Sequence, residues 1–294
     1  MSEFQYYEFQ AIDTLLTPAA QRELARITTR ARITSRSLVN TYQWGDLKGD
    51  PRRLVERWFD LFVYWANWGT RRVMLRVPSR FVEFKAVRPY CVGNTLDART
   101  SNGFTILEIE RDIEPPPDDL PDEGAVSAPF TTLRSSLVRG DWSCLYLGWL
   151  LGVQDGVVKD TAIEPPRPPG VANPSASLQA FTEFFGLDSN LLAAACEQLD
   201  NADSLTEPSP AELRAFIKAL PEGEKTKLLC QAVLKDDSQL SLEIRQRFAR
   251  VNRKVAPATR PASRRTAQEI RNAADALTEK RRHRSRRKKS ETRR

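Results

Sequence analysis

The chain has 294 residues, 40% of them hydrophobic and 28% charged, enough for one or two domains with real cores. Its net charge of +7 joins two opposed parts: residues 245–294 hold 19 Lys/Arg against 4 Asp/Glu (+15), so residues 1–244 hold 26 against 34 (−8). The opening MSEFQYYEFQ lacks the basic-then-apolar order of a signal peptide, and no apolar run reaches the ~20 residues that span a bilayer, so a cytoplasmic chain is expected.

QYYEFQAI (Gln5–Ile12) is rich in strand-forming aromatics and predicts a first strand. Thr17-Pro18 starts a helix, with Thr17 as the cap and Pro18 in the first turn, where its missing N–H costs nothing. SLVNTYQW reads as a second strand, GDLKGD as a loop, and Asp50-Pro51 as a second capped helix start. The aromatic run RWFDLFVYWANW (Arg57–Trp68) extends that helix over 51–68. On it Arg57, Asp60, Tyr64 and Asn67 share one polar strip, the candidate interface, while Trp58, Phe59, Phe62 and Trp65 fill a wide apolar face expected to pack under the sheet. RRVMLRV follows as a third strand. The order β-α-β-α-β predicts an α+β sandwich, with α/β as the alternative.

FTILEIE (Phe104–Glu110) alternates and predicts a strand with one wet face. EPPPDDLPDEG is a proline-rich acidic connection. TTLRSSLVRGDWSCLYLGWLLGVQ reads as one or two buried helices, in which Gly148 and Gly152 permit close approach of another backbone. The proline-rich stretch 161–174 predicts a linker, closing a body of residues 1–160. Four short helices beyond it predict a small helical domain over 175–252, the third opened by a Ser209/Glu212 capping box. Residues 253–294 are expected to be a basic, largely disordered tail, with a second capping box at Thr266/Glu269 and a thin stripe of Ile270, Ala273, Ala274 and Leu277 too weak to make a stable isolated helix.

Little here points to catalysis. The single histidine, His283, lies in the basic run, which leaves the body without a histidine-based triad or zinc site. Cys91, Cys144, Cys196 and Cys230 stand alone with no CxxC spacing, as in a reducing compartment, and neither GxGxxG nor GxxxxGK[ST] occurs. No cofactor and no metal site is expected. Carboxylates are the remaining chemistry: Asp13, Asp46, Asp50, Glu56 and Asp60 lie near element ends and are weighed as oxygen ligands for Mg²⁺.

MSEFQYYEFQAID, the run from ITSRSLVNTYQWGDLKGD to RRVMLRVP, and CLYLGWLLGVQ resemble a family of uncharacterised bacterial proteins that open with nearly the same Tyr-Tyr-Glu-Phe phrase. The likeness covers much of residues 1–160. It implies a bacterial cytoplasmic protein with a charged helical C-terminal extension and carries over no catalytic residue.

The leading expectation is a non-enzymatic binding or scaffold protein whose tail engages nucleic acid or another polyanion, such as an acidic protein. The residues expected to do so are Lys280, Arg281, Arg282, Arg284, Arg286, Arg287, Lys288 and Lys289, which attract phosphates by counterion release. The alternatives are a carboxylate- and Mg²⁺-dependent hydrolase or nuclease, and a protein-interaction module using the aromatic helix 51–68.

Overall fold

β1 (Gln5–Gln10) lies near the middle of a seven-stranded sheet ordered β2-β3-β1-β4-β5-β7-β6. The other strands are β2 (Arg32–Ile33), β3 (Ser37–Tyr42), β4 (Leu61–Ala66), β5 (Thr70–Pro78), β6 (Leu96–Ser101) and β7 (Phe104–Asp112), and every pairing is antiparallel. The computed structural model describes residues 3–116, 125–197, 209–234, 240–253 and 264–291. The fold is α+β. Most of the acidic connection EPPPDDLPDEG falls outside the described residues.

The two capped helix starts form as the sequence requires. Thr17 Oγ1 accepts from Ala20 N at the head of α1 (Pro18–Ile27), and Asp50 Oδ1 accepts from Arg52 N at the head of α2 (Pro51–Arg57). The helix expected over 51–68, however, ends at Arg57, and the aromatic run continues as β4. This strand is covered on both faces, so its side chains are apolar in every direction and lack the alternation that marks a half-exposed strand. β4 turns into β5 through Asn67–Gly69. Gly69 has φ +111°, and a Cβ there would lie 2.3 Å from the Ile113 carbonyl oxygen, so only glycine fits the turn.

Eleven helices occur among the described residues: α3 (Phe84–Val87), α4 (Ser127–Arg139), α5 (Ser143–Gln154), α6 (Ala176–Phe185), α7 (Ser189–Cys196), α8 (Pro210–Ala219), α9 (Glu222–Leu234), α10 (Leu240–Arg253) and α11 (Ala267–Glu291) complete the set with α1 and α2. One face of the sheet, built on Tyr6, Val63, Trp65, Val73, Leu75 and Leu107, packs against α4, α5, α6, α7 and the start of α11. The other face, built on Phe9, Leu38, Phe62, Met74 and Ile106, packs against α1 and α2. α4 and α5 are separate, broken by Gly140 in the left-handed region. A Cβ at Gly148 would sit 3.0 Å from Leu96 and one at Gly152 3.1 Å from Val92, so these glycines let α5 close on the β6 region.

Two boundary expectations concern the second half of the chain. The stretch 161–174 does not separate two packed units: Tyr90 Oη donates to the Pro166 carbonyl (2.7 Å), and Leu178, Phe181, Phe185 and Leu191 beyond it share the core of the sheet. Among the described residues of 175–252, α8, α9 and α10 contribute nothing to that shared core. In the tail expected to be largely disordered, 253–294, the described part from Ala267 to Glu291 is helical. Thr266 and Glu269 close the expected capping box, and Ala267, Ile270 and Ala274 are buried in the main core. The stripe that is too thin to support a free helix suffices once the body covers it. Among the described residues no helix is long and apolar enough to cross a membrane.

Candidate functional site

The root of α11 is a buried polar latch. Glu164 accepts from Tyr146 Oη and from Arg265 Nε (3.1 Å) and Nη2 (3.1 Å), with Arg167 Nε at 3.6 Å. Arg265 also donates to the Ala194 and Ala195 carbonyls at 2.7 and 2.9 Å, and Arg167 to the Ala195 carbonyl at 3.3 Å, so the two arginines together cap the end of α7. Burial opposes the charge of Arg265, but the Glu164 carboxylate prevails and holds its guanidinium above the usual arginine range. Burial, followed by Glu164, pushes the Tyr146 phenol well up, so it remains a donor. A bridge between Ile163 and Thr266 continues the latch along the backbone.

Past this root α11 lies along α7, with Asn190 Nδ2 donating to Thr278 Oγ1 (2.9 Å) and Arg271 bonded to Asp160 and to the Val153 and Val158 carbonyls. Among the described residues the last bond to the body is Arg281 Nη1 to Ser189 Oγ, at 3.4 Å. Lys280, Arg281, Arg282 and His283 are exposed. Arg284, Arg286, Arg287, Lys288 and Lys289 belong to the same helix by backbone, while their side chains lie outside the described residues. The expected polyanion-binding residues are thus carried on one continuous helix whose first turns are core.

The four residues expected to form one interface strip are dispersed. Arg57 is exposed and bonds Glu23 through its two terminal guanidinium nitrogens, at 2.5 and 2.8 Å. Asp60 is fully buried: it accepts from Ile12 N (2.7 Å) and Asp13 N (2.8 Å) and pairs with Arg76 (2.9 Å), with Arg134 at 3.6 Å. Asn67 Oδ1 accepts from Phe4 N at the β4–β5 turn. Tyr64 faces the α1/α2 side of the sheet. The strip was a product of helical spacing applied to a strand, where alternate residues face opposite sides.

Of the carboxylates weighed for Mg²⁺, Asp13 and Asp60 meet, but around the guanidinium of Arg134, and the others stand apart. Asp13 pairs with Arg134, Asp50 caps α2, Glu56 pairs with Arg99, and Asp60 is enclosed as described. No group of three His, Cys, Asp or Glu able to hold a metal occurs among the described residues. Of the cysteines, Cys144 is buried, Cys91 and Cys196 are half-buried, and Cys230 is exposed.

Sequence reasoning missed a groove of about 400 Å³ on the α1/α2 side of the sheet, lined chiefly by Gln5, Tyr7, Asp46, Tyr64, Trp68, Arg72 and Glu110. Its floor is a hydrogen-bonded set. Gln5 Nε2 donates to the Gly45 carbonyl (2.8 Å), which turns its Oε1 toward the hydroxyls of Tyr7 (2.9 Å) and Tyr64 (3.0 Å). Tyr7 Oη lies 2.5 Å from Asp46 Oδ1, which also accepts from Leu47 N (2.7 Å). Burial, reinforced by Asp46, raises the Tyr7 phenol far above its usual range and pushes Tyr64 up to about 12, so both stay neutral. Beside the groove Glu108 gathers three arginines: Arg52 (2.8 Å), Arg99 (2.9 Å) and Arg72 (2.7 Å). Burial works to raise this carboxyl, yet the Arg52 hydrogen bond and the Arg72 charge hold it below the ordinary glutamate range. The signal for the groove was the GDLKGD loop, which supplies Asp46, Leu47 and Gly49, but its opposite wall at Glu110 is some sixty residues away in sequence.

Comparison of the chain with protein-family models, curated proteins and solved structures finds no match.

Proposed function

We propose that this is a non-enzymatic binding or scaffold protein that presents a rooted cationic helix to nucleic acid or another polyanion. The observation that carries the reading is the anchoring of α11: Ala267, Ile270 and Ala274 sit in the core and Arg265 is clamped by Glu164, while the same helix continues into eight Lys/Arg among residues 280–289. A free basic arm must be ordered on binding, whereas a helix seeded by the body has part of that cost met in advance. At 1.5 Å per residue, the segment from Lys280 to Glu291 is about 17 Å long, comparable with several phosphate spacings along one nucleic-acid strand. The acidic body, with its balance of −8 over residues 1–244, disfavours non-specific adhesion elsewhere and leaves the helix as the main cationic surface. The reading includes a bacterial cytoplasmic setting, the one implied by the family that residues 1–160 resemble.

The test replaces Lys280, Arg281, Arg282, Arg284, Arg286, Arg287, Lys288 and Lys289 with glutamine, a good helix former, so that charge alone is removed. Fluorescence anisotropy with duplex DNA, single-stranded RNA and heparin is expected to show saturable binding by the full chain and its loss in the variant. Equal binding by both proteins overturns the proposal.

A further inference from the structure

The groove over Tyr7 and Tyr64 has a charge and shape opposite to what a phosphate would require. Two carboxylates face it from different elements, Asp46 from the loop before α2 and Glu110 from β7. Asp46 is exposed, its bonded partners are the uncharged Tyr7 hydroxyl and Leu47 amide, and it forms no ion pair among the described residues. Arg72, the one base in the lining, is already engaged: it bonds Glu108 and lies 3.3 Å from Glu110. Of the four aromatic residues in the lining, Tyr7 and Phe62 are buried, which leaves Tyr64 and Trp68 as the more accessible rings. Trp68 is 43% exposed and yet fixed in orientation, since its indole Nε1 donates to Thr70 Oγ1 (2.9 Å) and Thr70 in turn to Asp112 (2.6 Å). An exposed tryptophan held in place beside an unpaired carboxylate is the arrangement that accepts a cation on a slim apolar stem: the ring takes the stem and the charge, and the carboxylate takes the N–H donors. The volume suits one small organic group.

We propose that this groove binds an organic cation, an alkylammonium or alkylguanidinium group, between Asp46 and Glu110 and against Tyr64 and Trp68. The site lies on the sheet face opposite α11 and selects the opposite charge, so it is independent of the polyanion reading. The group could arrive on a free amine or on a basic side chain of a peptide, and the probes separate these sources.

The full chain is titrated with agmatine and, separately, with a blocked Gly-Arg-Gly peptide, and the Trp68 indole N–H is followed by NMR. Sodium chloride at matched ionic strength and inorganic phosphate serve as references. Saturable binding in the millimolar range or tighter is expected for at least one cation, and the tighter of the two identifies the source. Asp46→Asn and Trp68→Ala, both at exposed positions, are each expected to weaken it about tenfold. The proposal is overturned if neither cation moves Trp68 beyond the sodium chloride reference, if phosphate binds instead, or if both variants bind as the native chain does.

Discussion

Asp60 and Arg76 form a buried ion pair at the start of β4, with Arg76 Nη2 2.9 Å from Asp60 Oδ1 and the aspartate wholly shielded from water. The pair fixes more than two strands. Asp60 also accepts from the Ile12 and Asp13 amides, and Arg134 of α4 bonds both the Arg76 carbonyl (2.7 Å) and Asp13. The network therefore joins the segment after β1, β5 and α4 at one point. Asp60→Ala would leave Arg76 as a buried cation without its carboxylate, while Arg134 keeps Asp13, and would orphan two amides. A loss on the order of 3–5 kcal/mol is expected, measured by urea unfolding. On the helical reading of 51–68 the same substitution would be harmless, so this variant separates the two descriptions.

Trp65 and Trp68 lie three residues apart and answer differently. Trp65 is 1% exposed and stacks on Phe4 (5.1 Å) and Tyr6 (5.8 Å), whereas Trp68 is 43% exposed. Trp65→Ala is expected to cost about 3–5 kcal/mol through lost burial and the cavity left behind, and Trp68→Ala within about 1 kcal/mol. Thermal unfolding of the two variants side by side checks this, and equal losses would mean that the strand register is wrong.

Glu108 links acid stability to the arginine cluster. Its folded-state carboxyl is held below the ordinary value of 4.5, so its contribution is fully present above that pH and is lost as pH falls through the lower folded value. The stability difference between the native chain and Glu108→Gln should be constant near neutrality and shrink progressively below about pH 4.5. A difference that stays flat down to pH 2 would show that Arg52, Arg72 and Arg99 do not act on this carboxylate.

What the sequence disclosed depended on how locally each feature is encoded. The caps at Thr17, Asp50, Ser209 and Thr266 and the close approach at Gly148 and Gly152 were legible, because each rests on a few neighbouring residues. β4 was not: LFVYWA is apolar on both sides, and a short apolar run has the same appearance in a buried strand and a buried helix. Asp60 was misplaced for a long-range reason, since its partners lie 16 and 74 residues away in sequence. The start of α11 was judged on its own alanine-rich stripe, whereas the body that covers Ala267, Ile270 and Ala274 and the carboxylate of Glu164 come from distant parts of the chain. Of the groove, only the loop bearing Asp46 left a trace.

The latch makes a further prediction. Arg265→Ala removes the two-bond clamp on Glu164, the cap on the Ala194 carbonyl and the shorter of two bonds to the Ala195 carbonyl. Amide exchange over residues 266–278 should then accelerate to that of a fraying helix, while β4 and β5 keep their protection. Unchanged protection in α11 would show that the apolar seat of Ala267, Ile270 and Ala274 alone holds it.

The most direct measurement of the central claim is the salt dependence of duplex DNA binding by the full chain. If α11 neutralises six to eight phosphates, log K should fall against log salt with a slope of about −5 to −7, and the eight-glutamine variant should show neither the affinity nor the slope. Binding that is indifferent to salt, or retained by the variant, would contradict the account.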